Sequence, residues 1–483
     1  MAKIPEKVDV VVAGSGAAGL TAAITLAEGG AKVIVFEKQR SLGGTSNFFQ
    51  GTFAVESAMQ RSKYVTYTRD EAFHALMEYS HWRANPRLVR AVVNESGATI
   101  AWLQQHGVVF SEVTINMPNA PLTYHVVQGR GEAAMKALIL AARNLGVEMK
   151  SGTPVTRILK QGGAVTGVLV DDNGEEVQVA TGAVVVATGG YANNREWLKK
   201  YTGYELDVDI VAVGNTDKMG DGIRMAWEAG AAEESISLLE LYRTAPVAPE
   251  FAMGCELEQA AAQPDIWIDA RGRRFCDETV TFYDSSVGNA GARIVKEGPS
   301  WNLMDSATVK RLMEEGIDKA VGLDFAPGDR LNNLEKEIKA AIDNGSKEIA
   351  AANSVEELAG KIGVEPGTLR ATIEEYNRYC ARGHDELFAK DRRYLRPYAG
   401  PVYYAVRART VFLGTMGGIK INENAEVIDK KGNPIPGLYA GGFDAGGMYG
   451  DSYAITCASV LSSSFALNTG RIAGKHIIKY PGK

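Results

Sequence analysis

The stretch from Val8 to Glu37 constrains this chain more than any other. VDVVVA, Val8 to Ala13, is an apolar run of strand length, and GSGAAG, Gly14 to Gly19, follows it directly and opens a helical pattern that reaches about Glu28. KVIVFE then reads as a second strand ending on Glu37. A strand, glycine turn, helix and strand in this order can wrap a dinucleotide. The first glycine allows a tight turn, the second lets backbone approach a pyrophosphate, and the third lets the helix pack closely on the strand. The helix N-terminus adds amide donors and partial positive charge. Gly14, Ser15, Gly16, Ala17, Ala18 and Gly19 are therefore expected at the pyrophosphate, and Glu37, with Lys38 beside it, stands where an acid meets a ribose diol. A turn that binds nothing is the competing reading of a lone GxGxxG, and the flanking strands and the placed acid argue against it.

With 483 residues the chain exceeds one core of usual size, so two domains are expected. A formal charge of -6 argues against nucleic acid or an anionic membrane as the main partner. Cys255, Cys276, Cys380 and Cys457 are scattered without a CxxC pair and read as reduced and structural. The histidines show no metal-ligand spacing. MAKIPEKVDVVV runs straight into the first strand without the succession of an export signal, and no apolar run reaches the roughly 20 residues that span a bilayer. A cytoplasmic protein is the expectation.

After Glu37, KQRSLGGTSNFFQGT is richer in glycine and small hydroxyl residues than a connector requires. It reads as a second cradle for a large cofactor, with Gly43, Gly44, Thr45, Ser46, Gly51 and Thr52 as its contacts. Asn85-Pro86 has the form of a helix N-cap followed by proline, and the periodic stretch to His106 predicts two helices broken near Gly97. GRGEAAMKALILAARNLG predicts another helix, and a strand begins at Val147 to Met149. From Thr153 to Val179, alternating stretches separated by Gly162-Gly163 and Asp172-Asn173-Gly174 predict a β-meander. GAVVVATGGYA, Gly182 to Ala192, returns as a buried strand.

This succession resembles the FAD-binding superfamily that holds fumarate reductases, the succinate dehydrogenase flavoprotein and 3-ketosteroid dehydrogenases. The likeness extends to MGDGIRMAWEAGA, Met219 to Ala231, and resumes from PVYYAV at Pro401 to the C-terminus. The resemblance implies an α/β fold: a Rossmann-like FAD-binding domain, residues 1–236 and 414–483, with an inserted α+β capping domain, residues 237–413. In the insertion, DIWIDARGRRFCDE, Asp265 to Glu278, is the stretch that aligns best. The resemblance also implies FAD contacts at Val155, at Ala187, Thr188 and Gly189, at Asp221, at Gly442, and at Ala458 and Ser459 where the last helix starts. Phe443 stands in the slot of the family's ribityl-contacting acid, and Asp444 next to it is the substitute. Members with covalent flavin use a histidine just before the hydroxyl-rich loop; SLGGTS has none before it, which implies non-covalent FAD. A nicotinamide-only enzyme would leave the second loop, the meander and GLYAGG unexplained, and ATGG is too short for a second dinucleotide turn. An external electron donor or acceptor is therefore expected.

Dicarboxylate reductases of the family hold their substrate with histidines and arginines, since a guanidinium pairs a carboxylate bidentately. This chain departs at three such places. Gly414 stands where a histidine precedes TMGG, Tyr453 where a substrate-binding arginine follows the last glycine-rich turn, and Phe282 and Tyr283 where the proton-delivering arginine follows the NE motif. LGT before a glycine pair and G-x-[ST]-Y-A are similar to the 3-ketosteroid dehydrogenase branch, whose corresponding tyrosine donates to the substrate ketone. The branch's basic tyrosine stands four residues past the glutamate; here Phe282 has that place and Tyr283 comes next. Tyr453 and Tyr283 are the candidate catalytic residues, with Tyr124, Tyr242 and Tyr449 as further phenols. The expected reaction moves hydrogen across a carbon-carbon bond beside a ketone of an uncharged, apolar small molecule. The alternatives are an enone or polyphenol reductase of anaerobic metabolism, a dicarboxylate reductase, and a flavin-holding electron-transfer subunit without a pocket.

Overall fold

The structure is a computed structural model that describes residues 4–214, 216–246, 254–322 and 324–480. The chain divides into two compact units, one made of Met1–Gly203, Gly214–Glu240 and Leu413–Lys483, the other of Tyr204–Val213 and Leu241–Phe412.

The first unit is built on strand β1 (Val10–Ala13), helix α1 (Ala17–Glu28) and strand β2 (Val33–Glu37). β1 lies between β2 and the strand Ala183–Val186, parallel to both, with Val10 opposite Val33 and Ala183. Pro434–Ala440 extends the sheet beyond Ala183–Val186, and Glu148–Ser151 lies on the far side of β2. Every residue of β1, β2 and Ala183–Val186 is buried, as expected of parallel strands covered on both faces. The C-terminal helix Leu461–Lys479 crosses α1 almost backbone to backbone. A Cβ on Gly470 would lie 2.1 Å from the Ala18 carbonyl oxygen, and one on Gly474 would lie 2.8 Å from Thr25 Cβ. The meander is present as three antiparallel strands, Val155–Gln161, Ala164–Asp172 and Glu175–Ala180.

The expected break near Gly97 does not occur. Asn85 caps a single helix, Pro86–Gln105, with its side chain accepting from the Arg87 and Leu88 amides. Gly97 serves packing instead, since a Cβ there would stand 2.4 Å from the Val55 carbonyl oxygen. Its missing side chain marks a contact and not a boundary.

The second unit is an α+β body around the long strand Tyr403–Thr415, which pairs antiparallel with Ser300–Asp305 and Ile349–Ala352 and parallel with Ile210–Ala212. Ile266, Ile268, Leu303, Leu369 and Tyr376 are among the residues of one of its cores. The motif Asp265 to Glu278 folds into a buried ion cluster. Arg274 Nε and Nη2 each meet a Glu278 carboxylate oxygen at 2.7 Å, Nη2 also reaches Asp385 at 2.8 Å, and Lys390 Nζ lies 3.2 Å from Glu278. These charges are committed to one another, since removing one partner would leave an uncompensated buried charge.

Candidate active site

The glycine turn is shaped by backbone contact. Gly14 has φ +105°, and a Cβ there would sit 2.2 Å from the Ala187 carbonyl oxygen. A Cβ on Gly19 would sit 2.0 Å from the Gly14 carbonyl oxygen. Gly16 differs, because its Cβ would meet nothing nearer than Ser46 Oγ at 3.4 Å and the Gly43 carbonyl at 4.0 Å. It faces the second loop across a narrow gap. Ser46 Oγ accepts from the Ala17 amide at 2.9 Å, and Ser15 Oγ accepts from the Gly43 amide at 3.0 Å, so the two loops are stitched together. Gly43 and Gly44, at φ +101° and +51°, lead into the 3-10 turn Gly44–Phe48 that contains Thr45.

Glu37, at the end of β2, braces this turn: one carboxylate oxygen accepts from the Ser15 amide at 2.9 Å and the Ser15 hydroxyl at 2.6 Å, the other from the Gln39 amide at 2.8 Å. A carboxylate offers about four acceptor positions, so with three taken one is left for a ribose hydroxyl. Lys38 Nζ is paired with Asp217 and Asp221, each at 2.8 Å. Two residues expected at the cofactor are thus joined to each other.

Asp444 is fully buried and directed at the ATGG turn. Its carboxylate accepts from the amides of Thr188, Gly189 (3.2 Å) and Gly190 (2.9 Å) and from the Thr188 hydroxyl at 3.0 Å. A ribityl contact would come in addition to this role. The Gly442 amide donates to Thr469 Oγ1 at 3.1 Å. Val155 lies buried opposite Val170 in the meander. Gly51 and Thr52 form an edge of the small sheet that holds Tyr124 and His125, and the Gly51 carbonyl accepts from Ser463 Oγ at 2.7 Å. His125 is a satisfied core histidine: its ring nitrogens lie 2.7 Å from Ser57 Oγ and 3.1 Å from the Thr123 carbonyl, and burial pushes its pKa down to about 4. Ala458 and Ser459 are wholly buried just before the last helix. The Ser459 amide donates to Thr123 Oγ1 at 3.4 Å, while its hydroxyl has no partner among the described residues. A buried orphan hydroxyl at a position expected to meet the cofactor fits a polar group bound there.

The first unit also holds a polar cluster around Tyr453. Its phenol donates to Ser462 Oγ at 3.4 Å and accepts from the Ser462 amide at 3.3 Å. Ser462 Oγ in turn donates to Glu240 at 2.8 Å. Tyr449 sets its ring edge-on to Tyr453 with centroids 5.6 Å apart, and its hydroxyl has no partner among the described residues. Burial raises both phenols well above the ordinary tyrosine value. Burial likewise pushes Glu240 up to about 7, against the opposing pull of Ser462, Tyr453 and Lys218, and brings buried Lys218 down to about 8.

Gly414 and Phe443 explain each other. A Cβ on Gly414 would lie 2.5 Å from the Phe443 ring, so the ring fills the space that a side chain at 414 would need. Tyr283 belongs to the second unit, where it precedes the helix Asp284–Ile294 and its carbonyl accepts from Ser286 and Val287. Tyr242, in the same unit, accepts from Arg243 at 3.2 Å.

Glu240, Lys218 and Ser462 are the members of this site that sequence reasoning missed. The signal for Glu240 is a lone charge inside the apolar run ISLLELY.

A family model for the FAD binding domain matches residues 9–460, and the chain belongs to this family of FAD-dependent oxidoreductases acting on carbon-carbon bonds. Over 98% of its length it is 34% identical to a vinyl phenol reductase of Lactiplantibacillus plantarum, of which it covers 96%. It is 28% identical over 99% of its length to a cytochrome-type fumarate reductase of Shewanella frigidimarina, covering 78% of that protein. Its fold matches the structure of a 3-ketosteroid delta1-dehydrogenase from Sterolibacterium denitrificans with a TM-score of 0.80 at 20% identity, over 98% of this chain and 100% of that one. Among the described residues, no helix is long and apolar enough to cross a membrane.

The Gly414 and Phe443 contact makes a stability prediction. Gly414→Ala should destabilise by about 1–3 kcal/mol through overpacking, and the loss should shrink in a Phe443→Leu background. Chemical denaturation of the two single variants and the double variant measures this; equal losses in both backgrounds would show that the ring is not the obstacle.

Proposed function

We propose that this protein reduces a carbon-carbon double bond conjugated to an oxygen, in an uncharged enone or a vinylphenol, with non-covalent FAD and an external electron donor. The observation that carries the reading is the cluster at Tyr453: a buried phenol, backed by a serine amide and an acid, at the position where dicarboxylate reductases of the resemblance carry an arginine. Similarity to a vinyl phenol reductase along almost the whole of both chains supports the alkene and the direction. The ketosteroid likeness supports the fold alone, so a steroid is not singled out.

The proposed cofactor contacts are the Gly14 to Gly19 turn, Glu37, the loop from Gly43 to Thr52, Thr188 and Gly189, Gly442, and Ala458 with Ser459. Bound there, FAD supplies hydride at the flavin ring. Turned from Ser462 Oγ, to which it donates at 3.4 Å, the Tyr453 O–H would hold the substrate oxygen as negative charge builds there, while the Ser462 amide steadies the phenol oxygen. An oxyanion donor of this kind typically contributes about 10²- to 10³-fold in rate. Phe443 over Gly414 supplies an apolar wall and leaves no cation at that slot. In the second unit, the Arg274 and Lys390 charges are consumed by Glu278 and Asp385. Two carboxylates brought into such a site would remain unpaired, at a penalty of several kcal/mol, roughly, per charge. We assign the proton delivered to carbon to Tyr283, the phenol next to the slot of the family's proton donor. The location proposed is the cytoplasm, on the sequence's scattered cysteines without pair spacing.

Two measurements test this reading. Acid precipitation should release yellow FAD into the supernatant; flavin kept by the pellet would contradict non-covalent binding, and FMN in the supernatant would contradict the cofactor. Tyr453→Phe keeps the ring and removes the donor, so FAD content should hold while reoxidation of reduced flavin by an enone slows by about 10²-fold or more. Single-turnover rates near those of the unmodified protein would reduce Tyr453 to a packing residue.

A further inference from the structure

Glu240 is 1% exposed: Oε1 accepts from Ser462, the Tyr453 phenol also reaches the carboxylate, and Oε2 meets no donor at full hydrogen-bond geometry among the described residues. A purely structural buried carboxylate in this protein looks different, since Glu278 meets Arg274 twice and Lys390 once. A buried polar atom left unpaired is costly and calls for a reason. The titratable groups facing Glu240 are Tyr453, Tyr449 and Lys218. Lys218 is itself 3% exposed, and its amine donates to the Leu413 carbonyl at 3.4 Å. The donors run in one direction, from Tyr453 O–H to Ser462 Oγ and from Ser462 O–H to Glu240. Because both links are rotatable hydroxyls, the chain can carry a proton inward from an oxygen resting on Tyr453 or, with the hydroxyls turned, outward to it.

We propose that Glu240 is a positioning residue that works through Ser462 on Tyr453 and stores the proton of the substrate oxygen, so that the site suits substrates whose oxygen takes up or sheds a proton during reduction. The inference rests on the assignment of Tyr453 to that oxygen. With an enone, a bound reduced flavin would supply hydride to the carbon β to the carbonyl, and the alkene electron pair would move toward oxygen. The Glu240 O–H bond then breaks, the proton passes through Ser462 and Tyr453, and an O–H bond forms on the substrate. The enol so formed becomes the ketone by taking a proton from water on the α carbon and returning the one on oxygen to Glu240. With para-hydroxystyrene the oxygen acts first. Its O–H breaks toward Tyr453, Ser462 and an ionised Glu240 while the terminal alkene carbon takes a proton from water, giving a quinone methide. Hydride then adds at the benzylic carbon, and the resulting phenolate recovers its proton from Glu240. Each route adds one hydride and one proton overall.

The two substrates demand opposite charge states of one acid, which makes the proposal testable. Burial places Glu240 at about 7, so it carries its proton below that pH and is ionised above it. Anaerobic single-turnover reoxidation of the reduced holoenzyme should therefore slow with 2-cyclohexenone as pH rises from 5.5 to 8.5, roughly, and quicken with para-hydroxystyrene over the same range. Glu240→Gln keeps the acceptor for Ser462 and should flatten both profiles, with the favoured rates lowered about 10-fold or more. Lys218→Met should move both midpoints upward, because the ammonium holds the carboxyl's proton affinity down. A carboxyl C=O infrared band that fades across the same midpoint and is missing in Glu240→Gln provides a readout apart from turnover, and in the unmodified protein it does not depend on any variant folding. Unchanged midpoints in Glu240→Gln, or no titrating carboxyl band, would overturn the role of Glu240 while leaving the alkene reductase reading intact. Failure of the unmodified protein to be reoxidised by either substrate would overturn both.

Discussion

The close approach of the Gly14 turn to the end of the strand Ala183–Val186 is the constraint on which the first unit depends. No Cβ can be placed on Gly14 without meeting the Ala187 carbonyl, and none on Gly19 without meeting the Gly14 carbonyl. The turn is therefore fixed by backbone against backbone, and the neighbouring loops are fixed to it in turn. Glu37 ties Ser15, Ser15 ties Gly43, Ser46 ties the first turn of α1, and Asp444 ties the amides beyond Ala187. The polar side chains expected around FAD commit much of their bonding capacity to holding the cradle's shape. If FAD binds here as proposed, loops tied together in this way would lower the ordering that binding otherwise demands.

The first unit is legible in the sequence to the extent that its signals are local. Strand and helix periodicities around the glycine turn, the meander's turn dipeptides and the Asn85-Pro86 cap each lie within a few residues of what they determine. Gly97 misleads because a glycine's reason can be distant: the atom it makes room for belongs to Val55, in another part of the chain. Asp444 is legible as a residue that matters, but its bonds to Thr188 and Gly190 join segments far apart in sequence. Glu240 escapes notice for the same reason. Its partners come from Lys218, Tyr453 and Ser462, and no spacing rule connects those positions.

The chemical character of the site comes from what it lacks as much as from what it holds. Fumarate reductases are among its relatives, yet at the positions compared the chain has a glycine under an aromatic ring, a tyrosine, and a phenylalanine-tyrosine pair. These changes remove charge while keeping hydrogen-bond donors. A buried acid tuned by its surroundings can then supply and store a proton as a fixed cation cannot, because a guanidinium stays protonated throughout the accessible pH range. The family's chemistry on carbon-carbon bonds and an altered oxygen site are what support the proposed reduction of conjugated, uncharged alkenes.

On this proposal, substrate choice is set by the loss of those cations. The most direct measurement mixes the photoreduced protein, under anaerobic conditions, with 4-hydroxystyrene, 2-cyclohexenone and fumarate in separate stopped-flow experiments and monitors the return of oxidised flavin absorbance. The account predicts rapid, saturable reoxidation by at least one of the two uncharged alkenes and none above background by fumarate. Fast reoxidation by fumarate alone would contradict it.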